Sequence, residues 1–417
     1  MIGRVITAAA LSNLGDGLRV VALPLLAVAL TPDPLLVSGL VVAGYLPWVL
    51  FGLPIGSLVD RGRPEVFMLV TNVGRAVLLG LLTAGLAGGF TSIWLLYVVA
   101  FLLGIGEAIY DNASQSLVPR IVPDRQLESA NSALVTAERV GQDLVGPAVA
   151  GVLFTASVVL PFGLNAVLLA AAGALLIGIT TAAPRLTERG DVLSETVAGM
   201  RWLWGNRFLR RLILTGACLV FTTWMWESTL VLLATGPVGL SAAGYGLVLG
   251  VGALGGVGGA VVTPLLVARV DRWHLQLGSL ALCGLVDLLL ALAPNWITVA
   301  VAWGGTGFGF AVWHVVSVST RQRLVPAEIL GRVNSAARTL SFTALPAGAF
   351  AGGIVADVAG LRAPAAIAAG LTLALLVVYA VTSRSDRSLL GVAAGQPGVA
   401  AGQPGREGEP ESPGVSR

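Results

Sequence analysis

The sequence predicts an all-α membrane protein of twelve transmembrane helices in two pseudo-symmetric halves of six. Of its 417 residues 56% are hydrophobic and 11% charged, whereas a soluble domain carries roughly 25% charged residues. The apolar residues form runs long enough to cross a hydrocarbon layer about 30 Å thick. Residues 114–133 (SQSLVPRIVPDRQLESANSA) recur 203 positions later as residues 317–336 (SVSTRQRLVPAEILGRVNSA), identical at nine of twenty positions, among them Arg120/Arg323, Pro123/Pro326, Leu127/Leu330 and Asn131/Asn334. A parallel repeat of six spans points to a transport protein.

In chain order, the first half is expected to span at residues 5–30, 35–59, 66–87, 93–117, 129–157 and 160–182. The opening MIGR and its apolar run resemble a leader peptide, but the run is too long, contains Asp16 and Arg19 and lacks a small-residue cleavage site. It reads as the first span. Residues 183–208 carry seven charges around Met200, Trp202, Leu203 and Trp204. They are expected to form a linker ending in a helix, lying either in the headgroup layer or against the end of the bundle. The second half is expected at residues 209–235, 242–268, 275–294, 296–318, 332–358 and 363–383. Residues 384–417, with VAAGQPG repeated in tandem, cannot bury a core and are expected to be a disordered tail.

All 25 basic residues are Arg, and 20 of them fall in the termini and loops of one side, against Arg362 alone on the other. The positive-inside rule makes the Arg-rich side, with both termini, cytoplasmic, and the expected location is the plasma membrane. Loops on the opposite side are too short to hold a domain. Cys218 and Cys283 both fall inside spans, so neither a disulfide framework nor a metal site is expected. No Walker motif or nucleophilic triad appears, so ATP-driven pumping and hydrolysis lack support, and no cofactor or enzymatic activity is expected. The glycine-rich run at residues 250–259 lacks a following Lys-Ser/Thr and reads as close helix packing.

Seven acids (Asp16, Glu107, Asp111, Glu138, Asp143, Glu227, Asp287) and four Arg (Arg19, Arg75, Arg139, Arg338) lie within expected spans. At about 3 kcal/mol each these would cost on the order of 30 kcal/mol if left facing lipid, several times a fold's net stability. They must face water or each other. Glu107 and Asp111, four apart, share a helix face; they read either as a proton-carrying pair or as members of a structural ion-pair network with Arg19, Arg75 or Arg139. Arg139 and Asp143, also four apart, are expected to pair within their helix, and Asp16 with Arg19 form a local couple where Gly15 and Gly17 loosen the backbone. Glu227 beside Trp224 and Trp226 reads as a cation-binding group or as part of an interfacial Trp belt. His314 beside Trp313 reads as a titrating group or as hydrogen-bonded packing.

The loop GSLVDRGRP at residues 56–64 resembles the motif between the second and third spans of the major facilitator superfamily, with Gly56, Asp60, Arg61 and Arg63 in place and a glycine shifted; VARVDRWH at residues 267–274 is a weaker echo. The run GQDLVGPAVAG at residues 141–151 resembles the Gly-Pro motif of its antiporter branches, with Gly146 and Pro147 bending the helix or letting it pack closely. With residues 12–27 and 107–119, the chain is similar to the drug:proton antiporter group that contains macrolide and enterobactin exporters. The fourth-span Arg of many proton antiporters is absent, Phe101 standing there. The resemblance implies that spans 1, 4, 7 and 10 line the path and that the 56–64 loop latches the cytoplasmic side. It implies a monomeric secondary transporter whose partners are a small amphipathic substrate, protons and lipid, and not nucleic acid. Glu107 and Asp111 are the first candidates for proton coupling, supported by Asp16 and Asp143, with Arg19, Arg75 and Arg139 as charge partners and Tyr110, Trp224, Glu227, Trp313 and His314 along the path. Export is the expected direction; uptake, lysolipid movement, or a non-transporting scaffold or sensor are the alternatives.

Overall fold

A computed structural model describes residues 1–181 and 192–387. The tail expected beyond residue 387 and residues 183–191 of the expected linker lie outside the described residues. The first half consists of α1 (Ile2–Leu30), α2 (Pro34–Arg61), α3 (Pro64–Ala87), α4 (Ile93–Ile121), α5 (Leu127–Glu138), α6 (Gly146–Ala156) and α7 (Val159–Leu176). The helix α8 (Val192–Gly205) follows. The second half holds α9 (Arg207–Glu227), α10 (Leu230–Thr235), α11 (Ala242–Val267), α12 (Arg272–Ala291), α13 (Trp296–Leu324), α14 (Ala327–Ala359) and α15 (Ala363–Thr382).

Eleven segments among the described residues are long and apolar enough to cross a membrane, α9 and α10 counting together as one. The remaining expected span is broken: between α5 and α6 the chain winds as a π-helix over Arg139–Val145. The cause is local. Pro147, at the start of α6, has no N–H to give the Asp143 carbonyl, so the α-helical ladder cannot run through this point. From Leu127 to Ala156 the three pieces still form one continuous rod.

Helix starts are written in the turns. Asp33 caps α2 by accepting from the Leu35 and Leu36 amides at 2.8 and 3.2 Å, with Pro34 directly after it. Asn206, Ser241 and Asp271 cap α9, α11 and α12 in the same manner. Asn295 and Thr298 close a reciprocal capping box on α13. Each side-chain oxygen satisfies an amide that the first helical turn leaves open.

The duplication seen in the sequence reappears as packing. In the first half α1 lies on α6 and α7, α2 on α4, and α3 on α4 and α7; in the second, α9 lies on α14 and α15, α11 on α13, and α12 on α13 and α15. The counterparts match one for one. Two seams join the halves, α2 with α14 and α6 with α11, and these are also counterparts. The helix α8 packs on α14, where Gly199 lies against the Arg332 carbonyl, and Leu203 is fully buried. The glycine-rich run of α11 meets α13 backbone to backbone, Gly255 against the Gly304 carbonyl and Gly259 against that of Phe308.

The start of α1 and the end of α15 lie on one face. Arg4 donates to the carbonyls of Leu175 and Ile177 at the end of α7, at 3.0 and 2.7 Å, and Arg211 at the start of α9 binds the Thr382 carbonyl and, at 2.8 Å, Asp386. The arginine-rich loops share this face.

Candidate functional site

The charged residues of the first half form one buried cluster. Asp16 on α1 is 2% exposed and is gripped by Arg75 of α3, itself 3% exposed. Arg19, one turn along α1, lies 3.6 Å from Asp16 and 2.5 Å from Glu107 of α4. One carboxylate is thus tied to two guanidiniums, and the second guanidinium reaches across to another helix. Ser12 extends the network, its hydroxyl donating to Asn72 at 3.3 Å.

Asp111, four residues beyond Glu107, lies within electrostatic reach of Glu107, Asp16, Glu138 and Arg75, yet makes no hydrogen bond or ion pair among the described residues. Three carboxylates therefore share two guanidiniums. With all three ionised, one negative charge would be left over, on the acid with no partner.

Backbone fit fixes this geometry. A Cβ on Gly17 would meet the Gly141 carbonyl at 2.6 Å and the Gly146 Cα at 2.9 Å, so α1 rests directly on the π turn and the start of α6. A Cβ on Gly15 would stand 2.3 Å from the Asn165 side chain. The two glycines that the sequence suggested as loosening points are instead close-contact points. Gly146 meets Gly17, and the Pro147 carbonyl is approached by Gly246 of α11. The Gly-Pro pair therefore joins α1 on one side and the opposite half on the other.

The π turn carries Arg139 and Asp143, paired at 2.8 Å and with side chains 63% and 35% exposed. His314 of α13 is exposed and lies within electrostatic reach of Arg139; Glu227 of α9 stands in the same relation to Asp143. Tyr45 of α2 lies between Glu107 and Glu227 and meets Trp224 edge-on, with centroids 5.1 Å apart. These groups face each other across the space between the halves. Tyr110 and Trp313, expected along the path, are buried within their own halves. Tyr110 is 2% exposed, and Trp313 packs on Tyr379 at 5.6 Å.

The two ends of this space differ: one lies toward the arginine-rich face, where α5 begins, and the other away from it. On the far side the seams are shut by small residues, Gly353 of α14 against Ser38 of α2 and Gly151 of α6 against Ala242 of α11. On the near side α5 exposes Glu128, Ser129, Asn131, Ser132, Thr136 and Glu138, polar side chains suited to water rather than lipid.

Residues 56–64, expected as a loop, are helical up to Arg61, the end of α2, and only Gly62 and Arg63 separate it from α3; here Arg63 pairs with Glu65 at 3.1 Å, and Glu65 accepts from the Thr181 amide and hydroxyl at 3.1 and 2.8 Å. Arg120, the repeated arginine, reaches the Gly62 carbonyl at 3.4 Å. Arg61 is exposed, Gly56 faces a pocket between α2 and α14, and the Asp60 side chain lies outside the described ones.

Sequence reasoning found no partner for three groups. Tyr45 had no charge to mark it. Asp287 of α12 was seen without a partner, but it accepts from Trp226 Nε1 at 2.9 Å and the Thr372 hydroxyl at 3.4 Å. Arg338 of α14 has no ion pair among the described residues; its guanidinium lies 5.7 Å from the Trp48 ring and 5.2 Å from that of Phe342. Cation–π contact supplies about 0.5–2 kcal/mol, and the side chain is otherwise exposed.

Among curated proteins the chain is 25% identical over 335 residues to macrolide efflux protein A of Streptococcus pyogenes, covering 76% of this chain and 80% of that protein. It is 25% identical over 397 residues to the multidrug efflux pump Tap of Mycolicibacterium fortuitum, covering 90% and 94%. Among solved structures, a bacterial homologue of the iron transporter ferroportin in an inward-facing state superposes with a TM-score of 0.73 over 92% of this chain and 98% of that one, at 18% identity. Residues 5–344 match the Major Facilitator Superfamily; with its paired halves, twin seams and polar interior, this chain belongs to that family of membrane transporters, which are not enzymes.

Proposed function

We propose that the protein exports an amphipathic small molecule of the drug, macrolide or siderophore class across the plasma membrane in exchange for protons. Two six-helix units, residues 1–182 and 209–383, rock about the seams in a monomer whose arginine-rich face and termini are cytoplasmic. The efflux activity of the named relatives supports the direction. The observation that carries proton exchange is the count in the buried cluster: two guanidiniums against three carboxylates, with Asp111 unpaired. Uptake of one proton makes the cluster neutral and its release restores one charge, so proton occupancy decides how costly it is to shield the cluster from water. Asp111 is the residue that takes the proton, Glu107 and Asp16 share its charge, and Asp143 serves the same path from the π turn. Tyr45, Trp224, Glu227 and His314 line the route of the substrate, and the 56–64 segment with Arg120 holds the cytoplasmic closure.

The test uses purified protein in liposomes with an imposed pH gradient, reading efflux of a fluorescent dye and of a radiolabelled macrolide. Gradient-driven flux is expected in the parent and its loss in Asp111→Asn, which keeps the shape of the side chain and removes its titration. Flux that is unaffected when the gradient is collapsed would sink proton exchange.

A further inference from the structure

Arg19, Arg75, Arg139 and Arg338 lie inside the expected membrane spans, away from their ends. Arg19, Arg75 and Arg139 each bind a carboxylate, and Arg338 binds none among the described residues. It faces instead a pocket of about 230 Å³ between α2, α4 and α14. One wall is aromatic: Trp48 of α2 and Phe342 of α14 stack across the seam with centroids 5.0 Å apart and planes 1° from parallel, and the guanidinium lies over both rings. Asn112 of α4 and the hydroxyls of Thr339 and Thr343 supply polar rim groups. Glu138 is within electrostatic reach of Arg338 but forms no ion pair with it.

A permanent cation, a flat apolar wall and a polar rim around one small space are complementary to one kind of guest. We propose that this pocket binds the anionic end of an amphipathic molecule, with a carboxylate, sulfonate or phosphate on Arg338 and a planar apolar portion against Trp48 and Phe342. Arginine's planar fork suits an oxyanion, and the rings beneath it hold the fork in place. The pocket is smaller than a site that engulfs a drug-sized ligand, so it takes one end of the guest and leaves the remainder in the space between the halves. Asn112 follows Asp111 directly in α4, so the bound anion and the unpaired acid of the buried cluster are neighbours along the chain. This inference rests on the export reading for its purpose, since it names the chemistry of a substrate. The same oxyanion chemistry is also offered by an acidic phospholipid headgroup.

The test is equilibrium binding at one pH without any gradient, so its outcome is separable from that of proton exchange. Full-length protein in phosphatidylcholine nanodiscs is titrated calorimetrically with 2-naphthoate and with uncharged 2-naphthamide, and empty discs are subtracted. Naphthoate is expected to bind more tightly than naphthamide. Arg338→Gln is expected to weaken naphthoate at least about tenfold while changing naphthamide less than about twofold; Arg338→Lys, which keeps the charge, retains part of the affinity; Trp48→Leu weakens both probes. Should Arg338→Gln not fold, the Lys and Leu variants carry the same comparison. Discs containing phosphatidylglycerol separate the sources: weaker naphthoate binding in the parent but not in Arg338→Gln assigns the site to a lipid headgroup, and unchanged binding assigns it to a free amphiphile. Equal affinity for the two naphthyl probes in the parent, or equal loss of both in Arg338→Gln, would overturn the proposal.

Discussion

Arg19 Nη2 and Glu107 Oε2 meet at 2.5 Å, joining the first helix to the fourth across 88 residues of sequence. Both side chains are 12% exposed, so the contact is shielded but not sealed. Glu107→Gln keeps a hydrogen-bond acceptor while removing the charge. The expected cost is about 1–3 kcal/mol, read as a lower unfolding midpoint in detergent, with Arg19 falling back on Asp16. A midpoint equal to that of the parent would mean that the ion pair does not hold α1 to α4.

Asp16 and Arg75 are buried more deeply; removing Asp16 strands Arg75, and removing Arg75 leaves Asp16 only the 3.6 Å contact with Arg19, which is already engaged by Glu107. Arg75→Met should destabilise by about 3–5 kcal/mol and sharply lower the yield of monodisperse protein in gel filtration. Adding Asp16→Asn should recover part of that loss, since the second change removes the stranded charge. A double variant no better than the single would exclude charge stranding as the cause.

Gly17→Ala places a methyl group into the backbone of the π turn, with contacts of 2.6 and 2.7 Å to two carbonyls. Overpacking of this kind costs about 1–3 kcal/mol. Gly74 of α3 has no atom within 4 Å of its would-be Cβ, and Gly74→Ala should be neutral or stabilising by up to about 1 kcal/mol. Thermal unfolding of the two variants side by side separates steric fit from helix propensity; equal shifts would refute the close contact.

Asp287 is 2% exposed and satisfied by neutral donors alone. Asp287→Asn preserves an acceptor for Trp226, whereas Asp287→Leu orphans the indole N–H and should cost about 1–3 kcal/mol more. The difference is measurable as a red-edge change in tryptophan emission together with the unfolding midpoint. Identical behaviour of the two variants would mean that the bond to Trp226 contributes nothing.

The fold was legible because its causes are local or periodic: apolar run length, arginine placement, and a duplicated loop that announced counterpart helices before any packing was known. Parts of the site were legible for the same reason. Spacings of three and four bring Asp16 to Arg19 and Arg139 to Asp143, and those pairs lie 3.6 and 2.8 Å apart. What could not be read was contact between helices. Arg75 reaches Asp16 across 59 residues, Trp226 reaches Asp287 across 61, and no periodicity encodes which face of α3 turns toward α1. Run length did find the span at 129–157 but not its break into three pieces, which arises because Pro147 interrupts the ladder just where the charged pair sits. Arg338 stood out as a charge, and Phe342 lies four residues on in the same helix, but Trp48 comes from α2 at the other end of the chain.

The glycine contacts of the two seams bear on how the halves can move. Where main chain meets main chain, as Gly151 does with Ala242 and Gly246 with Pro147, and where Gly353 meets only the short Ser38 side chain, no long side chains must be withdrawn from sockets before one lobe turns; elsewhere on the α2–α14 seam the stacked Trp48 and Phe342 must part. Such a surface behaves as a plain bearing: stiff against separation, lenient toward rotation, and with its friction set by hydrogen atoms rather than by rotamers.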